Sequence, residues 1–147
     1  MSRVSVYLNF MGKTEEAFLF YKSVFKTEFV SPIQRMGDVP ADPNQPPLPD
    51  DEKNLVMHVE LPIIGGISIM GTDMLKSMGH VFTPGNNMSI NLMPDTRAEA
   101  EELFDGLLAG GSVEMPLQVM FWGDIFGSGV DKYGVRWMVN CSDVKPE

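Results

Sequence analysis

Ser5-Val6-Tyr7-Leu8-Asn9-Phe10 returns later in the chain as Asn87-Met88-Ser89-Ile90-Asn91-Leu92, with the same alternation of apolar and polar positions. Each copy reads as a half-buried strand, because successive side chains of a strand point to opposite faces. The residues beyond each copy repeat as well. After Met11-Gly12-Lys13 comes Thr14, a candidate N-cap, with Glu15 and Glu16 where negative charge suits a helix dipole. Ala17, Phe20, Tyr21 and Val24 then recur at helical spacing. In the second copy Thr96-Arg97-Ala98-Glu99 has the pattern of a capping box, and Ala100, Leu103, Phe104 and Leu107 repeat the apolar spacing. Gly110-Gly111 ends that helix.

Three strands are expected after each helix. In the first half they fall at 28–33, 55–61 and 67–71. In the second, short stretches at 112–114, 119–122, 126–130 and 135–140 supply them, with Asp131-Lys132-Tyr133-Gly134 as the turn before the last. The order strand, helix, three strands occurs twice, so the expected fold class is α+β, with two βαβββ modules forming a curved, barrel-like mixed sheet and the helices outside. Module one spans 1–73, a linker 74–86 and module two 87–147, together one domain, as a length of 147 residues suggests. Gly37 to Lys53 carries Pro40, Pro43, Pro46, Pro47 and Pro49 among acidic residues. Proline lacks the donor a strand ladder needs, so this is a long loop, either mobile or a lid.

Composition narrows the partners. Lys plus Arg is 11 against 20 Asp plus Glu, a net charge of −9. Nucleic acid and anionic membranes, which need a basic field, are not expected partners. Cys141 is the single cysteine and cannot form an internal disulfide, and neither a signal peptide nor an apolar bilayer-length run is visible, so a reducing, cytoplasmic setting is expected. The 12 methionines read mainly as adaptable core filler, with a few available to line a pocket.

The repeat, the opening Tyr7-Leu8-Asn9-Phe10 with Glu16-Ala17 and Phe20-Tyr21, the segment Val56-Met57-His58-Val59-Glu60-Leu61, and the motif Phe121-Trp122-Gly123, Phe126-Gly127, Asp131, Gly134, Trp137 together resemble the PhnB-like family. That family lies within the glyoxalase/bleomycin-resistance/dioxygenase, or vicinal oxygen chelate, superfamily. The resemblance implies paired βαβββ modules and a homodimer. It also implies four metal-ligand positions on the module-opening and module-closing strands, usually His, Gln or Glu. Carried over by strand position, these fall on Ser5, Met70, Asn87 and Met138. None suits a hard divalent cation, so neither a catalytic metal nor any other cofactor is expected. A ubiquinone-pathway methyltransferase label is sometimes attached to such proteins. The sequence offers no Gly-rich strand-to-helix loop followed by an acidic residue to support it.

The remaining chemistry lies on the polar faces. His58 and Glu60 stand two apart on one strand and are the candidate catalytic pair, with His58 either a hydrogen-bonded pocket histidine or a proton-transfer group. Tyr7, Asn9, Met70, Asn91, Trp122, Arg136 and Met138 are the candidate ligand-binding residues. Arg136 suits a carboxylate or carbonyl, or a surface ion pair; Trp122 lines the pocket or fills the module interface. Trp137 is expected in the core, and Asp131 and Gly134 in the turn. The resulting expectation is a metal-free, dimeric small-molecule-binding protein with its ligand in the inter-module cavity. The alternative is an enzyme of lyase or isomerase type using His58 and Glu60 there, possessing at most a weakly held divalent metal.

Overall fold

The computed structural model describes residues 1–142. The chain forms two compact units, one over residues 1–83 and one from residue 84 onward. In the first unit, β1 (Val6–Phe10), α1 (Thr14–Phe25), β2 (Gln34–Arg35), β3 (Val56–Pro62) and β4 (Ser68–Asp73) succeed one another. In the second, β5 (Ile90–Leu92), α2 (Arg97–Leu108), β6 (Ser112–Val119), β7 (Ile125–Val130) and β8 (Arg136–Cys141) repeat the order. Each unit is therefore βαβββ, and the α+β class holds.

The curved, barrel-like sheet does not form. The eight strands make two separate four-stranded sheets, ordered β1-β4-β3-β2 and β5-β8-β7-β6. The parallel pairs β1–β4 and β5–β8 put the opening strand at one edge, and β2 or β6 ends the other. No ladder among the described residues joins those edges, so each sheet stays open. Closing a sheet into a barrel requires its two edge strands to pair, and here β1 with β2 and β5 with β6 stay at opposite ends of their sheets.

Each helix covers one face of its own sheet. On α1 the buried stripe is Thr14, Ala17, Phe18, Tyr21 and Phe25, rotated from the expected Ala17, Phe20, Tyr21 and Val24. The reason is Gly71 on β4. A Cβ there would collide with the ring of Phe18 and come within 3.1 Å of the Thr14 methyl, so the missing side chain is what lets Phe18 pack against β4. On α2 the expected Ala100, Leu103, Phe104 and Leu107 are buried, with Leu108. Gly127 of β7 gives Phe104 the same room: a Cβ would sit 2.7 Å from its ring. Beneath the helices lie Val59, Leu61 and Ile69 in one unit and Ile125, Trp137, Val139 and Cys141 in the other, all buried.

A buried aspartate ties each unit together. Asp73 Oδ1 accepts from the Thr14 amide (3.1 Å) and hydroxyl (2.8 Å), and its Oδ2 accepts from the Val56 amide (2.8 Å), so one carboxylate joins α1, β3 and β4. Asp131 Oδ1 accepts from the amides of Tyr133 (2.8 Å) and Val135 (3.0 Å), shaping the expected turn, while Oδ2 accepts from the buried Trp137 indole at 2.9 Å. Thr14 is thus not the cap of α1. Lys13 occupies that position without a side-chain cap, and the Thr14 hydroxyl donates to Asp73 instead. Thr96 does cap α2, accepting from the Glu99 amide at 3.2 Å.

Two strand boundaries differ from expectation. The 28–33 segment is irregular, and the short strand forms at Gln34–Arg35, held by Arg35 pairing with Glu15 of α1 at 2.8 Å. The two stretches at 112–114 and 119–122 merge into the single strand β6, with register shifts between Val113 and Met115 and between Met115 and Gln118. Pro116, which cannot donate, lies in the second of these, which keeps it on an edge strand. The Pro-rich loop is anchored at its base by Gly37 N–H donating to the Lys53 carbonyl and Met36 N–H to that of Leu55, both 2.9 Å.

Candidate functional site

The face of each sheet opposite its helix carries the polar residues. In the first unit Tyr7, Met70 and Glu60 form one cross-strand row over β1, β4 and β3, and Asn9 stands beside Thr72 in the next. His58, two residues from Glu60, completes a pair: the Tyr7 hydroxyl lies 2.8 Å from His58 Nδ1. Partial burial raises the Tyr7 phenol above its ordinary value, so the neutral hydroxyl is the form that meets the imidazole. Glu60 is mostly shielded and faces the Arg3 guanidinium at 3.6 Å. Ser5 donates weakly to the Met70 sulfur at 3.8 Å.

In the second unit Asn91, Met138, Ser128 and Met115 form the corresponding row across β5, β8, β7 and β6. Arg136 is paired with Glu114 at 2.7 Å, so its charge is already met within the sheet. Asn140 faces Phe126 in register, and its buried Oδ1 has no hydrogen-bond partner among the described residues. Trp122 is half-exposed at the tip of the β6–β7 hairpin, its ring edge-on to Phe121 (4.9 Å) and near Phe126 (6.2 Å). Trp137 is in the core, with Val139 and Cys141 buried further along the same face of β8.

The structure thus brings Tyr7, Met70, His58 and Glu60 together, with Asn9 further along the same face. It places Asn91, Met138 and Arg136 on the equivalent face of the second unit. The four carried-over ligand positions do not behave alike. Ser5 and Met70 touch, but Asn87 lies in a bend ahead of β5 and Met138 stands opposite Asn91. A thioether, a hydroxyl and an amide are a poor donor set for a hard divalent ion, and these residues do not fit the superfamily metal. Among the described residues no group of three His, Cys, Asp or Glu side chains is placed to hold a metal ion.

One feature escaped the sequence. The segment after β4, read as linker, folds back through a short 3-10 turn at Lys76–Met78 and walls an open cavity of about 310 Å³ with Asn9 and Thr72 at the strand ends. His80 belongs to this wall. The signal was faint: Leu75, Met78 and Gly79 in a polar stretch, where Gly79 takes the left-handed conformation that ends the turn.

Two βαβββ units with polar-faced sheets are the architecture that the resemblance to the vicinal oxygen chelate superfamily implies. Comparison with known proteins agrees and is more specific. The family described as 3-demethylubiquinone-9 3-methyltransferase matches residues 2–140, and the chain belongs to that family, which is PhnB-like. Protein PA1353 from Pseudomonas aeruginosa is 35% identical with a TM-score of 0.83, over 98% of this chain and 100% of that one. The PhnB protein from Bacillus cereus is 32% identical with a TM-score of 0.71, over 95% and 99% of the two chains. A glyoxalase/bleomycin resistance protein/dioxygenase family enzyme from Burkholderia phytofirmans PsJN shares the fold at 16% identity and a TM-score of 0.59, over 92% and 96%. No helix among the described residues is long and apolar enough to cross a membrane.

Proposed function

We propose that the chain binds a small, partly apolar molecule on the polar sheet faces without the superfamily's metal, as a cytoplasmic homodimer. The observation that carries this is the pair of central-strand methionines: Met70 between Tyr7 and Glu60, and Met138 between Asn91 and Ser128. A flexible thioether flanked by amide, phenol and hydroxyl groups suits an organic ligand far better than a divalent cation. On the first sheet face the proposed contacts are Tyr7, Asn9 and Met70, and on the second, taken by itself, Asn91 and Met138. Arg136 would have to leave Glu114 to join them, and Trp122 would cover the ligand from the hairpin tip.

The test is native mass spectrometry and thermal shift of purified protein against metabolite fractions, with Mn²⁺, Ni²⁺ and Zn²⁺ in parallel. Organic ligands that raise Tm in the presence of a chelator, and lose that effect in Met70→Glu and Met138→Glu, support the reading. Near-stoichiometric metal, or stabilisation that only metals produce, overturns it. Light scattering reports whether the chain is dimeric.

The contact between Tyr7 and His58 favours a second reading, an enzyme that moves a proton with His58 and Glu60. With His58 Nδ1 engaged by the Tyr7 hydroxyl at 2.8 Å, Nε2 is the ring nitrogen left for a substrate. Turnover of any metabolite that disappears in His58→Gln and Glu60→Gln, with binding retained, would establish it. The methyl-transfer activity in the family's description is not carried over. The turn between β1 and α1 has one glycine, Gly12, and the sheets are mixed, not doubly wound.

A further inference from the structure

We propose that the cavity at the end of β1 and β4 is a separate binding site for a neutral, single-ring apolar molecule carrying one hydrogen-bond acceptor, such as an aryl ketone. Its volume, about 310 Å³, is at the lower end of the range for small-molecule sites. Three methionines line it, Met36 from one part of the chain and Met74 and Met78 from the segment after β4. Thioethers adapt to a ring and make favourable contacts with its edge.

The polar groups on the wall set the remaining chemistry. His80 Nδ1 accepts the Leu75 amide N–H at 2.9 Å, so the neutral ring carries its proton on Nε2 and is a donor. The Thr72 hydroxyl donates to the Val56 carbonyl at 3.2 Å, which leaves His80 and the Asn9 amide as the donors for a ligand. Asp73, also on the wall, has both oxygens engaged by Thr14 and Val56. Among the described residues no Lys or Arg lines the cavity, so an anion would meet a carboxylate with no counter-charge. A cation would have to compete with three donors for the Asp73 oxygens. A neutral acceptor is what remains.

This site shares only Asn9 with the function proposed above, and the two can fail independently. The test is a titration of the full chain, labelled with ¹³C at the methionine methyls, with acetophenone, toluene and benzoate. Signals are assigned by single Met→Leu variants. Acetophenone is expected to shift Met36, Met74 and Met78 saturably and to leave the other methionines in place. Toluene should bind about 2- to 10-fold more weakly, the worth of one neutral hydrogen bond, and benzoate should not saturate. His80→Ala should bring acetophenone to the level of toluene. Met78→Trp, which fills the cavity, should abolish both and guards against loop disorder in the first variant. His58→Ala should change nothing. The proposal is overturned if acetophenone causes no saturable shift at these three methyls, if benzoate binds as well as acetophenone, or if Met78→Trp binds undiminished.

Discussion

Asp131→Asn should be among the most damaging single-atom changes available to the second unit. The carboxylate is 3% exposed and its two oxygens serve different clients. Oδ1 takes the Tyr133 and Val135 amides, and Oδ2 takes the indole of Trp137, itself 1% exposed. An asparagine has one acceptor oxygen, so whichever way the amide turns, an NH₂ faces an N–H. A hydrogen bond to a charged group is worth about 1.5–3 kcal/mol, and a buried donor left unmet costs about 1–3 kcal/mol. The two overlap, and roughly 3 kcal/mol is expected. At about 2–4 °C per kcal/mol for a chain near this size, Tm should fall by roughly 6–12 °C. Urea unfolding monitored by far-UV circular dichroism reads the loss directly. In a Trp137→Phe chain the indole is gone, and Asp131→Asn should cost at least about 1.5 kcal/mol less. A loss below about 1 kcal/mol (less than the weakest charged hydrogen bond in that range), or an equal loss in both backgrounds, would refute the assignment of Asp131 as the buried partner of Trp137.

Other contacts lead to equally definite outcomes. Gly127→Val should destabilise strongly, because its Cβ would sit 2.7 Å from Phe104 and 3.0 Å from the Leu117 amide; calorimetry should show a large fall in Tm. Thr96→Ala should cost about 1 kcal/mol by removing the cap of α2, while Thr96→Ser should cost much less in the same urea series. The hydrogen bonds and charge of Arg35 hold the Glu15 carboxyl below its ordinary 4.5. A folded-state value below the unfolded one means the pair stabilises at pH above the unfolded value, and that stability is lost as pH falls through the folded one. Since both side chains are about a third exposed or more, the effect should stay under about 1 kcal/mol. The stability gap between wild type and Glu15→Gln should therefore be present at pH 7 and close in acid.

Much of the fold was legible because it repeats. Alternation located β3, β4, β7 and β8 within a residue or two, and helical spacing found both helices. The stripe of α2 was read correctly from its own sequence. That of α1 was not, since the rotation is set by Gly71 on a strand distant in sequence. The same limit hid Thr14, whose hydroxyl is drawn to Asp73 instead of its own helix end. Merging two short stretches into β6 required a bulge around Pro116, which local pattern rules read as a break. The barrel-like sheet was inferred from the repeat alone, and strand pairing is a non-local fact that periodicity does not carry. At the candidate site, alternation put His58 and Glu60 on one face with Tyr7, but no spacing rule predicts that a phenol reaches an imidazole from two strands away. His80 was legible only as a histidine in a linker, because its place depends on a turn closed by Gly79.

The displaced register of β6 also bears on how the chain behaves when crowded. A sheet that ends on an eight-residue outer strand offers unsatisfied amides and carbonyls to any neighbour able to align with them. Here the proline withholds one amide, the two offsets break the periodicity that a docking strand would have to match, and Glu114 sets a carboxylate on the margin. Pro116→Val with Glu114→Val would restore the missing amide and take away the charge, leaving the two offsets as the remaining guard against fibril growth.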